Sequence, residues 1–331
     1  MRCSKLKIFI NVGGRALVPP IPGLDQIPYL TNSSMMDMDF LPARLVVLGG
    51  SYVGLEFAQA WRRFESEVTM IELASHLISR EDEDVSQAVA EFLKEEGIDI
   101  RVDTKVLRVE KQGSNIVVAV ETGGKESQVI GSHLLLAIGR RPNTDDLGLD
   151  AAGVATDKHG YIQVDGQLRT NVPGIWALGD CNGRGAFTHT AWNDYEIVAS
   201  NILDNDPRRV TDRVAAYALY TDPPLGRAGM TEAQVRKSGR PALVATMAMK
   251  DVSRAVEKGE TKGFMKVLVG AETKQILGAS LLGSAGNEVI HSIIDVMYAK
   301  APYTLMQRAM HIHPTVSEFV PTMMDDLVPL R

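Results

Sequence analysis

Apolar and polar positions follow two rhythms along the chain. Short apolar runs at Arg44–Gly49, Glu67–Glu72, Ile98–Val102 and Ser132–Ile138 read as strands. Between them, Leu55–Phe64 reads as a helix. Val85, Val89, Phe92 and Leu93 then fall at i, i+4, i+7 and i+8, one apolar helix face that Gly97 ends. Strand, helix, strand, helix, strand predicts a doubly wound α/β nucleotide-binding domain. Val106–Val109 and Ile116–Glu121, joined by the loop 111–115, predict a small antiparallel insertion before the sheet resumes.

The two ends of the chain keep different patterns. Lys7–Val12 reads as a strand, and the proline-rich run Val18-Pro19-Pro20-Ile21-Pro22-Gly23 after it reads as an extended connector. Beyond Tyr217, Thr221-Asp222-Pro223-Pro224 breaks the chain. Leu243–Met249, Phe264–Val269 and Ile276–Leu282 then alternate as antiparallel strands, with a hairpin turn at Ala271-Glu272-Thr273-Lys274. Val289, Ile290, Ile293 and Met297 put one apolar side on a helix over Asn287–Tyr298. Read from the residues alone, this last region is an α+β domain with no site of its own.

Composition narrows the function classes. At 331 residues the chain predicts two or three domains. A formal net charge of -6 argues against nucleic acid as a partner, because phosphate neutralisation needs a basic face. No apolar run approaches the ~20 residues of a bilayer span, so no membrane partner is expected. Cys3 and Cys181 make no disulfide framework, and a reducing, cytoplasmic setting fits.

The candidate chemistry begins at Gly49-Gly50-Ser51-Tyr52-Val53-Gly54. A dinucleotide pyrophosphate needs a tight turn, close backbone approach and the free N–H groups of a helix N-terminus. Gly49 and Gly54 take the first and third glycine positions, and Ser51 takes the middle one. Such loops also serve simply to pack a helix on a strand. The strand before the loop, the helix after it and Glu72 at the end of the second strand favour nucleotide binding. Glu72 would accept from a ribose 2′-hydroxyl and repel a 2′-phosphate. No arginine stands between Glu72 and Arg80, so NAD(H) is favoured over NADP(H). Glu56 lies just after the loop, where the helix dipole alone would favour a carboxylate in the first turn. Asp180 ends an apolar strand, either at a ligand-binding sheet edge or as a turn or cap residue. Near the C-terminus, His313 precedes Pro314, and Glu318 follows within reach. An imidazole held by a carboxylate can shuttle protons near neutral pH. A capping or packing histidine, or a weak metal pair with His311, are the alternatives.

These stretches resemble a family. Val47–Ala58, containing the glycine loop, is similar to the nicotinamide-binding signature of the class I pyridine nucleotide-disulfide oxidoreductases, which include dihydrolipoamide dehydrogenase, glutathione reductase and mercuric reductase. Ala137-Ile138-Gly139-Arg140-Arg141-Pro142-Asn143 resembles the end of their nucleotide domain. Thr170–Asp180 resembles their second flavin motif, and His313-Pro314-Thr315-Val316-Ser317-Glu318 their C-terminal active-site segment. The resemblance covers essentially the whole chain and implies FAD and NAD(P)H as cofactors, with an enzyme that moves electrons to a disulfide or small-molecule acceptor.

The resemblance further implies a nucleotide-binding domain, Rossmann-like, inserted in a partial FAD-binding domain, with a C-terminal α+β dimerisation domain. Its boundaries would be 1–34 and 142–212 for the flavin parts, 35–141 for the NAD(P) domain and 213–331 for dimerisation. Gly49, Ser51, Gly54, Glu56, Glu72, Gly139 and Arg140 would serve the cofactors. Asp180 would bond a ribityl hydroxyl, and backbone near Thr188 would approach the flavin ring. His313 and Glu318 would be the catalytic acid/base pair of a homodimer, and Cys181 a packed bystander. Within the family a mercuric reductase-like protein is expected. The family's first flavin glycine loop and Cys-x4-Cys pair have no counterpart here, so the sequence reads as an N-terminally truncated member. A nucleotide-binding, dimerising remnant without catalysis is the alternative.

Overall fold

A computed structural model describes residues 7–331. Cys3 lies outside the described residues. The described residues form two compact units: 7–18 with Gly139–Arg213, and Pro19–Ile138 with Val214–Arg331.

The first unit is assembled from segments far apart in sequence. Strand Ile8–Ile10, shorter than the Lys7–Val12 run, pairs in parallel with Ile175–Ala177. Gly14–Ala16 pairs antiparallel with Arg140–Pro142. Leu149, Val154, Ile162, Ile175, Ala177 and Cys181 form one apolar core, and Leu168, Leu178, Ile197 and Val198 a second. The helix Thr188–Ala199 supplies Ile197 and Val198.

In the second unit the expected parallel sheet is present. Asp99–Arg101, Glu67–Ile71, Arg44–Leu48 and His133–Leu136 lie side by side in that order, all parallel. The helix after the glycine loop spans Tyr52–Arg63, starting three residues earlier than its apolar pattern implies. The next, Glu83–Glu95, buries Val85, Val89, Phe92 and Leu93 and ends before Gly97, whose φ of 89° suits the left-handed exit. Leu45, Val47, Leu55 and Ala58 meet these side chains in one core.

The insertion is larger than its pattern suggested. Thr104–Gln112, Asn115–Thr122 and Lys125–Gly131 form a three-stranded antiparallel meander. The third strand escaped notice because Lys125, Glu126, Ser127 and Gln128 are all exposed, leaving Val129 and Gly131 as its only buried positions.

The C-terminal part carries a six-stranded antiparallel sheet. Its strands run Ala216–Leu219, Leu225–Gly229, Ile276–Leu282, Phe264–Gly270, Ala242–Ala248 and Val328–Pro329. Gly286–Tyr298 packs Val289, Ile290 and Ile293 against it. No helix among the described residues is long and apolar enough to cross a membrane.

Candidate cofactor and active-site residues

The glycine loop is held by its own neighbourhood. Gly49 has a φ of 108°, and a Cβ there would lie 2.4 Å from the Ala137 carbonyl oxygen. At Gly54 a Cβ would come within 2.0 Å of the Gly49 carbonyl oxygen, so helix and turn touch where only glycine fits. Ser51 is the N-cap with an extended backbone (φ -107°), a conformation open to serine, which explains why the middle position tolerates a side chain. Its hydroxyl makes no capping bond. The first-turn N–H groups of the helix therefore have no side-chain cap from Ser51, and its dipole adds positive potential. This arrangement fits a pyrophosphate.

Glu72 lies at the end of its strand, against the loop. Its Oε2 accepts from the Gly50 N–H at 2.6 Å and its Oε1 from the Ala74 N–H at 2.7 Å. Each carboxylate oxygen keeps a second lone pair, so ribose hydroxyls can still be accepted. Glu56 lies in the second helical turn rather than the first, because the helix starts at Tyr52. Its carboxylate accepts from the Tyr220 N–H at 2.9 Å, and burial pushes its pKa up more than that bond lowers it. The helix-dipole explanation therefore gives way to a tertiary contact.

Asp180 stands in the first unit on a cavity of about 570 Å³, lined by Asn11, Gly13, Gly14, Arg140 and Thr188 among others. Arg140 donates to the Gly14 carbonyl oxygen at 2.6 Å and to Asp180 Oδ2 at 3.0 Å. The buried Arg140 Nε has no partner among the described residues. A polar, anion-tolerant cavity edged by glycine backbone suits the ribityl and phosphate part of a flavin nucleotide. Gly139, just before Arg140 in the chain, has a φ of 140°, and a Cβ there would meet only Leu17 at 3.8 Å.

The turn presenting Asp180 is fixed by a residue that the sequence reading did not single out. Asp194, 2% exposed, accepts at Oδ2 from the Gly179 N–H (2.9 Å) and from Asn182 Nδ2 (2.8 Å), and pairs through Oδ1 with Arg213. Its place on the inward side of Thr188–Ala199 was the available signal. Cys181 is fully buried, and its thiol donates to the Leu178 carbonyl oxygen at 3.1 Å. Burial pushes its pKa up, so it stays a protonated packing residue.

His313 and Glu318 meet as expected. Nδ1 of His313 lies 3.0 Å from Glu318 Oε2 and 3.1 Å from Oε1. Glu318 also accepts from the Thr315 N–H at 3.0 Å, and these bonds, Thr315 first, hold its carboxyl below the usual range. The imidazole is 73% exposed. His311 turns its Nδ1 to the Ala309 carbonyl oxygen instead, and no group of three or more metal-ligating side chains occurs among the described residues.

Comparison with known proteins gives these sites a family. The family described as "Pyridine nucleotide-disulphide oxidoreductase" matches residues 5–194, and its dimerisation domain matches 215–324. The chain belongs to the pyridine nucleotide-disulphide oxidoreductases. It is 38% identical to the "Probable pyridine nucleotide-disulfide oxidoreductase RclA" of Escherichia coli, over 94% of this chain and 70% of that protein. It is 34% identical to a mercuric reductase of Streptomyces lividans, over 93% of this chain and 65% of the relative. A solved structure, the Cu(II) complex of the "HOCl-induced flavoprotein disulfide reductase RclA from Escherichia coli", superposes with a TM-score of 0.91 at 36% identity, covering 97% of this chain and 74% of that one.

Proposed function

We propose that this chain acts in a homodimeric, FAD-dependent NAD(P)H oxidoreductase that favours NADH. Asp180, Arg140 and the backbone near Thr188 hold the flavin, while Gly49, Ser51, Gly54, Glu56 and Glu72 serve the pyridine nucleotide. Bound FAD would supply two-electron transfer between nicotinamide and acceptor. His313, oriented by Glu318, is placed to hold or deliver a proton at a thiol or small-molecule acceptor. The finer mercuric reductase-like reading draws on the Streptomyces lividans relative, whereas the Escherichia coli relative carries a broader description.

The observation that carries the reading is Glu72 bonded to Gly50 at the pyrophosphate turn. A fixed carboxylate there should repel a 2′-phosphate. NADH should therefore bind the purified chain at least about tenfold better than NADPH, worth ~1.4 kcal/mol. Glu72→Gln keeps an acceptor for Gly50 but removes the charge, and should narrow that gap. Equal affinities in the unaltered chain would overturn the preference.

A further inference from the structure

The six-stranded sheet carries a largely buried polar row on one of its faces. Tyr217, Arg227, Ser280 and Lys266 stand on four adjacent strands, because the register pairs Tyr217 with Arg227, Arg227 with Ser280, and Ser280 with Lys266. Arg227 and Lys266 are 1% and 2% exposed, among the largest fully buried side chains described. Within the row Arg227 donates to the Ser280 hydroxyl.

The row meets the segment that joins strand Glu67–Ile71 to helix Glu83–Glu95. Lys266 Nζ lies 3.1 Å from Asp82 and 2.8 Å from Asp84. Arg227 lies 3.8 Å from Glu81 and 3.9 Å from Asp82, and the Tyr217 hydroxyl donates to Glu81. Burial alone would lower the Lys266 pKa, but Asp84 and Asp82 outweigh it, so the ammonium stays charged.

The same segment grips the glycine loop. The Ile78 N–H donates to the Gly50 carbonyl oxygen at 2.9 Å, and Glu72 takes the Gly50 N–H, so both backbone polar groups of Gly50 are held from one side. Leu77 fills the space where a Cβ on Gly50 would lie, 2.5 Å away. Ile78 itself holds a φ of 45°, a left-handed conformation that a β-branched residue keeps only when its surroundings enforce it. Tyr52, first residue of the helix after the loop, touches both parties. Its ring centroid is 5.4 Å from that of Tyr217, and its hydroxyl is 3.4 Å from Glu81.

Burying two cations is costly, and apolar residues of similar volume often serve stability as well or better. A buried row kept in register with one loop therefore points to placement. We propose that Tyr217, Arg227 and Lys266 are positioning residues for pyridine nucleotide binding. The sheet fixes segment 72–82, and that segment fixes Gly50 and the pyrophosphate-facing helix start. This rests on the dinucleotide reading above.

The test is NADH titration of the full chain by fluorescence, beside thermal melts without nucleotide. Tyr217→Phe removes the hydroxyl that Glu81 receives and keeps the ring against Tyr52. It should raise the NADH dissociation constant about fivefold to tenfold, a part of the roughly tenfold to hundredfold that a hydrogen bond to a charged group is worth. Tyr52→Phe should do the same, and the double variant should lose less than the product of the two. Lys266→Met should weaken binding further; if it does not fold, the tyrosine variants decide. Folded tyrosine variants with an unchanged dissociation constant, whatever their melting temperature, would overturn the positioning role. No NADH binding by the unaltered chain would overturn the dinucleotide reading itself, a different outcome.

Discussion

The two compact units fix their candidate nucleotide-binding turns by opposite means. In the second unit the turn Gly49–Gly54 is closed by residues packed directly against its backbone: Glu72, Leu77, Ile78 and Ala137. In the first unit the turn bearing Asp180 depends on partners from both ends of the unit, Gly14 through Arg140 and Asp194 with Arg213. The Gly49–Gly54 turn is sterically closed, whereas the Asp180 turn is tied by charge. A closed turn should therefore fail by collision, and a tied one by loss of a buried partner.

The sharpest way to break the comparison is Gly54→Val. Its side chain would collide with the Gly49 carbonyl oxygen, 2.0 Å from the first added carbon. NADH affinity should drop by about a thousandfold, ~4 kcal/mol, as read by titration. Any affinity for flavin should survive, because Asp180 and Arg140 belong to the other unit.

Asp194→Ala attacks the tied turn. It leaves Arg213 without its buried counter-charge and the Gly179 N–H without an acceptor, which should cost about 3 kcal/mol of stability. Chemical denaturation followed by fluorescence would measure it. A loss under ~1 kcal/mol would show that the turn is held by something else.

Asp180→Asn is milder. Arg140 loses a charged partner but keeps the Gly14 carbonyl, so the turn should stand. Flavin affinity, measured by titrating added FAD, should weaken about tenfold while NADH affinity stays put.

The charged network adds a pH dependence. Burial pushes the Asp82 carboxyl up, but the Glu232 backbone N–H and Lys266 outweigh it and hold it below its ordinary 3.8. A depressed folded pKa gives stability that is present above the ordinary value and lost as pH falls through the lowered one. Acid unfolding should therefore include an Asp82 contribution below pH 3.8, and Asp82→Asn should remove it. Glu81 has the opposite slope, since burial raises its pKa and its proton favours the folded state.

The smallest effect on stability belongs to His313→Gln. The side chain is 73% exposed, so the melting temperature should stay within about 1 °C. Proton-coupled turnover of an assembled enzyme should fall by roughly a hundredfold.

Much of this was legible in the sequence, and the misses share a cause. The glycine loop, Glu72 and the His313–Glu318 pair are short-range patterns with fixed spacing, and the family resemblance rests on such stretches. The third meander strand was hidden because its polar face dominates its composition. Glu56 was placed a turn too early because the helix extends back to Tyr52, whose ring packs on Tyr217. Arg227 and Lys266 were invisible as core residues, since a charge within a strand reads as solvent-facing. Their burial in the folded sheet, with the cross-strand register, shows that they lie inside.

That register bears on how separable this protein's parts are. A grafted nucleotide segment from a relative would bring its own residues to face Tyr217, Arg227 and Lys266, and unmatched charges would be sealed inside the junction. Chimeras should therefore tolerate exchange of the exposed residues 125–128 of the meander far better than exchange of residues 72–84. Boundaries drawn at the glycine loop would need the sheet's row to travel with them.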